Sequence, residues 1–219
     1  GDHRDLHSFP TRRSSDLYNS ERNILNAPNY ERLEFLGDSV LRISVSAYIF
    51  DKYPDYPEGR LSKIRACLVS DKFLHSLGLK LGLQKYINIG IHEEKCGGRS
   101  KESIIACSME AVMGAIYQSS GFTPAYEYII SLYKDVDIEK EMCNFNAKEI
   151  LQEYTQGKNK DLPEYKILKE SGKEHNKTYE AGVYYNNEIL GTGEGKTKKD
   201  AEKEAALNAL IKLGIAKNE

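Results

Sequence analysis

The sequence lacks an apolar run long enough to span a membrane, and its N-terminus lacks the apolar core of a secretory signal. Internal repeats and low-complexity tracts are also missing. These absences exclude a membrane-spanning or repeat architecture. The composition, 40% hydrophobic and 29% charged, predicts a soluble globular protein, and 219 residues leave room for one large domain or two small ones.

Neither the cysteine content nor the net charge of the chain indicates a function. The four cysteines show neither CxxC pairing nor zinc spacing, so we expect reduced thiols and a cytoplasmic location. The net charge of −2 provides no global basic field. Any binding of nucleic acid must therefore depend on local patches.

What stands out is an acidic segment, in which Glu31, Glu34 and Asp38 are spaced at i, i+3 and i+7. On a helix these carboxylates share one face and repel one another. A divalent cation such as Mg²⁺ would turn this repulsion into binding, because hard cations prefer clustered oxygen ligands. The alternative is a solvated acidic face on an amphipathic helix.

The first part of the chain shows mainly helical periodicity, which predicts an all-α domain. Helices are expected over Leu33–Phe50, Leu61–Leu77, Ser103–Ser119 and Tyr126–Asp135. Pro54, Pro57 and Gly59 separate the first two.

The order of elements changes after a charged stretch over 135–146. A helix over Ala147–Tyr154 and a final helix over Thr197–Leu213 enclose three strands, predicted over Glu164–Glu170, Thr178–Tyr185 and Glu188–Gly193. Asn186 and Asn187 suit a tight hairpin turn. The C-terminal part is therefore expected to be α-β-β-β-α.

The acidic segment Glu31–Leu41 is followed by an ordered series of motifs: Glu58–Ser62, Arg65–Val69, Leu79–Leu83, Gly97–Arg99 and Met109–Ala111. This series resembles the ribonuclease III family of double-stranded RNA endonucleases, and the C-terminal order resembles the double-stranded RNA-binding domain. The resemblance implies a multidomain fold: an all-α endonuclease domain over 18–140, a linker over 141–146 and an α-β-β-β-α RNA-binding domain over 147–216. It also implies processing of ribosomal RNA precursors and other structured transcripts, with 5′-phosphate and 3′-hydroxyl products.

The resemblance assigns binding of Mg²⁺, for which Mn²⁺ can substitute, to four acidic positions on two helices. Glu34, Asp38 and Glu110 match three of them, and Cys107 stands where the family has aspartate. A thiol is mostly neutral near pH 7, and as a thiolate it is a soft ligand. We therefore expect Cys107 to be uncoordinated and cleavage to be impaired. The alternatives are a sequencing error and a site tuned to a softer metal.

Three more residues have roles implied by the resemblance. Glu31 and Glu58 match acidic positions that line the catalytic valley and act at a distance or through water, so with Asp38 and Glu110 they are the catalytic candidates. Phe35 matches a residue that fills a cavity on the partner in a homodimer. From its position alone, Phe35 would be expected to pack in the core.

Candidate contacts to RNA lie in the C-terminal part. Lys196, Lys198 and Lys199 surround Thr197 at the start of the last helix, where the helix dipole disfavours cations and favours an anion. The resemblance adds Gln152 and Glu153 on the first helix of this part, and His175 in the following loop. Domains of this type recognise A-form shape rather than sequence.

Residues 1–17 show no periodicity and resemble a translated sequencing adapter, so we interpret them as non-native. The alternative is a natural disordered basic arm. The first helix of the family domain is then missing. The leading hypothesis is a double-stranded RNA endoribonuclease. The alternative is a double-stranded RNA-binding protein with weak or no catalysis, for which Cys107 and the missing helix are the grounds.

Overall fold

The computed structural model describes residues 30–159, 161–172 and 177–216. These residues form two compact units, with the boundary between Val136 and Asp137. The adapter-like segment 1–17 and the candidate His175 lie outside the described residues. No helix in the described segments is both long and apolar enough to cross a membrane.

Helices build the first unit, as predicted. They are α1 (Glu31–Lys52), α2 (Glu58–Leu68), α3 (Asp71–Lys80), α4 (Ile91–Lys95), α5 (Glu102–Ser120) and α6 (Phe122–Tyr133), with 3-10 turns at Leu83–Lys85 and Gly98–Ser100. The long helix α1 packs extensively against α5 and also contacts α6. Tyr133 at the end of α6 is fully buried, stacks on Phe73 and donates a hydrogen bond to the carbonyl oxygen of Leu68 at 2.9 Å.

The predicted helix Leu61–Leu77 is two helices, α2 and α3. The chain turns at Ser70, whose backbone is extended and whose Oγ accepts a hydrogen bond from the amide of Phe73 at 3.3 Å. Serine is a favoured residue at this capping position because its oxygen satisfies an amide that the first turn leaves unpaired. The continuous apolar periodicity hides this break in the sequence.

The second unit contains the predicted α-β-β-β-α order. Its elements are α7 (Ile138–Asn159), β1 (Glu164–Ser171), β2 (Thr178–Tyr185), β3 (Glu188–Gly195) and α8 (Lys198–Lys212). The strands form an antiparallel sheet in the order β1-β2-β3. Asn186 and Asn187 both have positive φ, 51° and 63°, as the tight hairpin between β2 and β3 requires. The core joins both helices to the sheet through small and branched residues, including Leu151, Val183 and Ala206.

The predicted linker over 141–146 is helical in the structure. It belongs to α7, which consists of two helices, over 138–145 and 147–159, that meet at a kink at Asn146, with φ −109° and ψ 22°. Glutamate, lysine and methionine over 139–142 are good helix formers, and no glycine or proline interrupts them. The change in composition therefore marks a new unit whose first residues are helical, and the predicted start of the next helix at Ala147 directly follows the kink.

Candidate active site and RNA-binding surface

Two glycines allow α1 and α5 to cross at close range. A Cβ atom on Gly37 would lie 1.8 Å from the carbonyl oxygen of Glu110, and one on Gly114 would lie 2.1 Å from the carbonyl oxygen of Leu33. No side chain fits at either position. Asp38 follows Gly37 directly, and Glu110 lies one turn before Gly114. The crossing therefore brings the acidic face of α1 to the middle turn of α5 that carries Glu110.

The carboxylates of the two helices share one electrostatic environment. The pKa of Glu110 is raised to about 8, chiefly by burial and then by the negative charges of Asp38, Glu34 and Asp71, while Arg42 opposes the rise. A carboxyl group shifted in this way resists ionisation until a cation joins the cluster. Glu34 and Asp38 therefore lie near enough to Glu110 for their charges to raise its pKa.

Cys107 lies in the same cluster, but as a hydrogen-bond donor. Burial raises the pKa of its thiol to about 12, and the charge of Glu34, a hydrogen bond to Glu34 and the charge of Glu110 add to the effect. The thiol is therefore protonated at neutral pH and donates to the Glu34 carboxylate. In this state the sulfur has no negative charge to offer a metal ion.

The donor set fits a hard divalent cation in its chemistry, although the side chains are not gathered around one point. In the described segments, no three His, Cys, Asp or Glu side chains converge closely enough to hold a metal ion as they stand. One reason is that Asp38 faces Arg42, whose Nε lies 2.7 Å and 2.9 Å from its two carboxylate oxygens. Three half-buried carboxylates that repel one another still suit Mg²⁺ or Mn²⁺, whereas the neutral thiol does not.

The remaining acidic candidates lie at the starts of two helices. Glu31 is half-buried in the first turn of α1. Glu58 is exposed at the start of α2, where its Oε1 accepts a hydrogen bond from the Ser62 hydroxyl at 2.7 Å. Their chemical roles stay a prediction.

Sequence analysis missed Asp71, an exposed residue in the first turn of α3. Its negative charge contributes to the raised pKa of both Cys107 and Glu110, so it faces the cluster from a third helix. Ser70 before Asp71 forms a helix-start pattern that could have revealed it. The apolar periodicity of Leu61–Leu77 instead predicts a helix interior at both positions.

One side of α1 exposes large apolar side chains. Phe35 is 77% exposed, Ile43 is 55% exposed and Phe50 is 68% exposed. The core position that its periodicity alone would suggest for Phe35 is therefore not observed, and its surface position agrees with the role implied by the resemblance. We call these three residues the α1 apolar face.

The lysine cluster lies at the start of α8, as predicted. Thr197 caps the helix, because its Oγ1 accepts a hydrogen bond from the amide of Asp200 at 3.1 Å and lies 2.7 Å from the Asp200 carboxylate. Lys196, Lys198 and Lys199 are exposed around this cap, and the Lys198 ammonium lies 5.7 Å from the centre of the Tyr179 ring. On α7, Gln152 and Glu153 are adjacent and exposed.

Glycines on β3 hold α8 close to the sheet. A Cβ atom on Gly193 would lie 2.3 Å from the amide of Ala205, and one on Gly195 would lie 2.4 Å from the amide of Ala201. The start of α8 is therefore fixed against the end of β3. This packing gives the lysine cluster a rigid base.

One unit contains a crossing of two helices that carry acidic residues. The other contains a capped, lysine-rich helix packed on a small sheet. Together they indicate a class of protein: a nuclease with an appended nucleic-acid-binding domain. Comparison with known families agrees. Residues 14–136 match the model of the "Ribonuclease-III-like" family, and residues 147–213 match that of the "Double-stranded RNA binding motif".

Individual relatives extend this match over most of the chain. Ribonuclease 3 of Natranaerobius thermophilus is 42% identical over 84% of this chain and 80% of its own length. Ribonuclease 3 of Listeria welshimeri is 39% identical over 90% of this chain and 86% of its own. A crystal structure of the nuclease domain of ribonuclease III from Campylobacter jejuni has a TM-score of 0.52 and 34% identity, and the match covers 61% of this chain and 86% of that one.

The chain belongs to the ribonuclease III family. Its helical unit is the endonuclease domain and its mixed unit is the double-stranded RNA-binding domain, so the chain is an endoribonuclease of double-stranded RNA. The fold and the function expected from the sequence are confirmed.

Proposed function

We propose that this chain hydrolyses phosphodiester bonds in double-stranded RNA with Mg²⁺, for which Mn²⁺ can substitute, and leaves 5′-phosphate and 3′-hydroxyl ends. The observation that carries this proposal is the crossing at Gly37 and Gly114, which gathers carboxylates from two helices. A bound divalent cation would lower the pKa of a water molecule and stabilise charge on the phosphate. Glu34, Asp38 and Glu110 are the residues that would hold it.

The other side chains around the cluster orient or tune these ligands. The Cys107 thiol holds the Glu34 carboxylate through its hydrogen bond, in place of the family aspartate. Glu31 and Glu58 act on the substrate or on water from a greater distance. With three carboxylate ligands rather than four, we expect cleavage that is slower than a four-carboxylate site would give.

We propose that the second unit binds the RNA duplex by its shape. Lys196, Lys198 and Lys199 contact phosphates beside the start of α8, where the helix dipole also favours an anion. Gln152 and Glu153 contact a minor groove, and His175 contacts the next one. The exposure of the lysines, Gln152 and Glu153 supports this assignment.

We propose a homodimer in which the α1 apolar face is the contact surface, with Phe35 inserted into the partner. Three large apolar side chains that are more than half exposed on one helix support this assignment, because such patches mark interaction sites. One of the structural relatives, from Campylobacter jejuni, was described for flexibility in a region involved in dimer formation; it has a TM-score of 0.51 and 35% identity.

We propose that its substrates are ribosomal RNA precursors and other structured transcripts, which the enzyme meets in the cytoplasm. Its four cysteines are all free thiols, which agrees with a reducing compartment. The RNA-binding domain recognises duplex shape, so any transcript with a long enough stem is a possible substrate.

The test is cleavage of a fully paired RNA duplex by the full chain in Mg²⁺. We expect cuts in duplex RNA and none in single-stranded RNA or duplex DNA, with loss of all cleavage in EDTA. Glu110→Gln should bind the duplex with unchanged affinity and should not cut it. Cleavage by Glu110→Gln at the wild-type rate would show that the carboxylate cluster is not the active site.

A further inference from the structure

Arg42 occupies the carboxylate of the proposed metal ligand Asp38. The arginine lies one turn after Asp38 on α1, and its Nε lies 2.7 Å from one carboxylate oxygen and 2.9 Å from the other. Both oxygens that could contact a cation are therefore engaged by the guanidinium. Arg42 also faces Glu110, because the Arg42 charge lowers the pKa of Glu110 against the effect of the neighbouring acids.

The Arg42–Asp38 ion pair contributes little to the stability of the fold. The Arg42 side chain is 55% exposed and the Asp38 side chain is 34% exposed. An exposed i,i+4 pair of this type contributes little to folding, because solvent screens it and both side chains lose conformational freedom. Its position is the more informative feature, since it places a positive charge inside a cluster of acids that otherwise repel one another.

We propose that Arg42 is a positioning residue that competes with the divalent cation for Asp38. This inference rests on the proposed metal site. Without metal, the guanidinium balances the acidic cluster and fixes the Asp38 carboxylate. A divalent cation must displace Arg42 from Asp38, and the displaced charge then repels the cation from the rim of the site. Arg42 therefore weakens metal binding and sets the metal concentration at which the site fills.

The test is a titration of the full chain with Mn²⁺, in which electron paramagnetic resonance measures the concentration of the free ion. Arg42→Gln removes the competing charge and should bind Mn²⁺ roughly three- to tenfold more tightly than wild type, from the lost ion pair and the relieved repulsion. Arg42→Lys keeps a charge one turn from Asp38 and should remain within about twofold of wild type. The Arg42 side chain is exposed, so circular dichroism should show wild-type folding for each variant.

Arg32→Gln is the matched control. It removes the same charge from the same helix, but Arg32 precedes Asp38 by six positions and lies on another face. Its Mn²⁺ affinity should equal that of wild type. An equal gain in Arg32→Gln would reduce the effect to net charge and overturn the proposal.

The two levels of inference fail differently. If wild type binds Mn²⁺ and Arg42→Gln binds it equally or more weakly, the role of Arg42 is wrong and the metal site stands. If wild type does not bind Mn²⁺, or Glu110→Gln binds it as tightly as wild type, the proposed metal site is wrong, and the role of Arg42 is wrong with it.

Discussion

Replacing Cys107 by aspartate tests whether the missing carboxylate limits the enzyme. In the structure the thiol is neutral and donates to Glu34, so position 107 contributes an oriented neighbour and no charge. Cys107→Asp adds a fourth carboxyl group on the same turn of α5 as Glu110. The two positions are three residues apart, so both side chains lie on the face that meets α1.

The raised pKa of the Cys107 thiol gives the free-energy cost of placing a negative charge at this position without metal. Its pKa rises from 9.0 to about 12, which corresponds to about 4 kcal/mol, and solvent screening at a half-buried position reduces this to about 2 kcal/mol. Without metal, the new carboxyl group should therefore have a raised pKa, and the variant should be less stable than wild type. A divalent cation reverses the sign, because the extra oxygen ligand then has a partner.

Single-turnover cleavage of a paired RNA duplex in Mg²⁺ measures the effect on activity. Cys107→Asp should cut about 10- to 100-fold faster than wild type, by analogy with the effect of other residues that support a metal site. Cys107→Ser, which keeps the size and adds no charge, should stay within a few-fold of wild type. Melting with and without Mg²⁺ should show a larger stabilisation by the metal in Cys107→Asp. Equal cleavage rates for wild type and Cys107→Asp would refute the reasoning.

Three other predictions follow from the same sites. The raised pKa of Glu110 means that the folded state binds more protons than the unfolded state between pH 4.5 and about 8, so metal-free stability should fall as pH rises through this window. Urea unfolding in EDTA at pH 6 and pH 9 should show this fall in the free energy of unfolding, and Glu110→Gln should show a smaller fall. An equal fall in both proteins would mean that another group causes the pH dependence. Gly37→Ala should destabilise the nuclease unit by about 1 to 3 kcal/mol or more and abolish cleavage, because its Cβ would overlap the Glu110 carbonyl. Gly59→Ala, which meets nothing within 4 Å, should be neutral or stabilising in the same thermal melts, and similar losses in both would contradict the crossing argument. The double variant Lys198→Ala with Lys199→Ala should weaken duplex binding and reduce the slope of log affinity against log salt by roughly two, measured by fluorescence anisotropy; an unchanged slope would place the phosphate contacts elsewhere.

Local patterns predicted the elements whose signals are local. The i, i+3, i+4 periodicity fixed the helical half, and the Asn186–Asn187 pair fixed the hairpin, because few residues adopt the positive φ values of that turn. The break at Ser70 was missed because a capping signal of one residue competed with a long apolar period. The first helix of α7, over 138–145, was missed because charged residues with good helix propensity resemble a linker in composition.

The candidate site was predictable along one helix and unpredictable across helices. Spacing alone places Glu34 and Asp38 on one face of α1, and resemblance alone connects them to Glu110. What brings the two helices together is the absence of side chains at Gly37 and Gly114, and a single sequence does not reveal which glycines meet. The approach of Asp71 from α3 depends on tertiary packing in the same way.

Cys107 and Arg42 both make the acidic cluster less negative, Cys107 by standing in place of a carboxylate and Arg42 by adding a positive charge. The effects of replacing them should therefore be coupled. At neutral pH the thiol is uncharged, Glu110 is mainly protonated and Arg42 balances Asp38, which leaves Glu34 and Asp71 as the unbalanced charges of the metal-free cluster. The double variant Cys107→Asp with Arg42→Gln adds a carboxyl group and removes a positive charge. Removing the charge of Arg42 would raise the pKa of the carboxyl group that Cys107→Asp adds. Near pH 7 the Mn²⁺ affinity of the double variant should therefore gain less than the product of the two single gains, because the cation must displace more bound protons. At pH 9, where those groups are ionised, the gains should approach the product. A double-mutant cycle of Mn²⁺ affinity at both pH values measures this coupling, and strict additivity at pH 7 would show that the two residues act on separate sites.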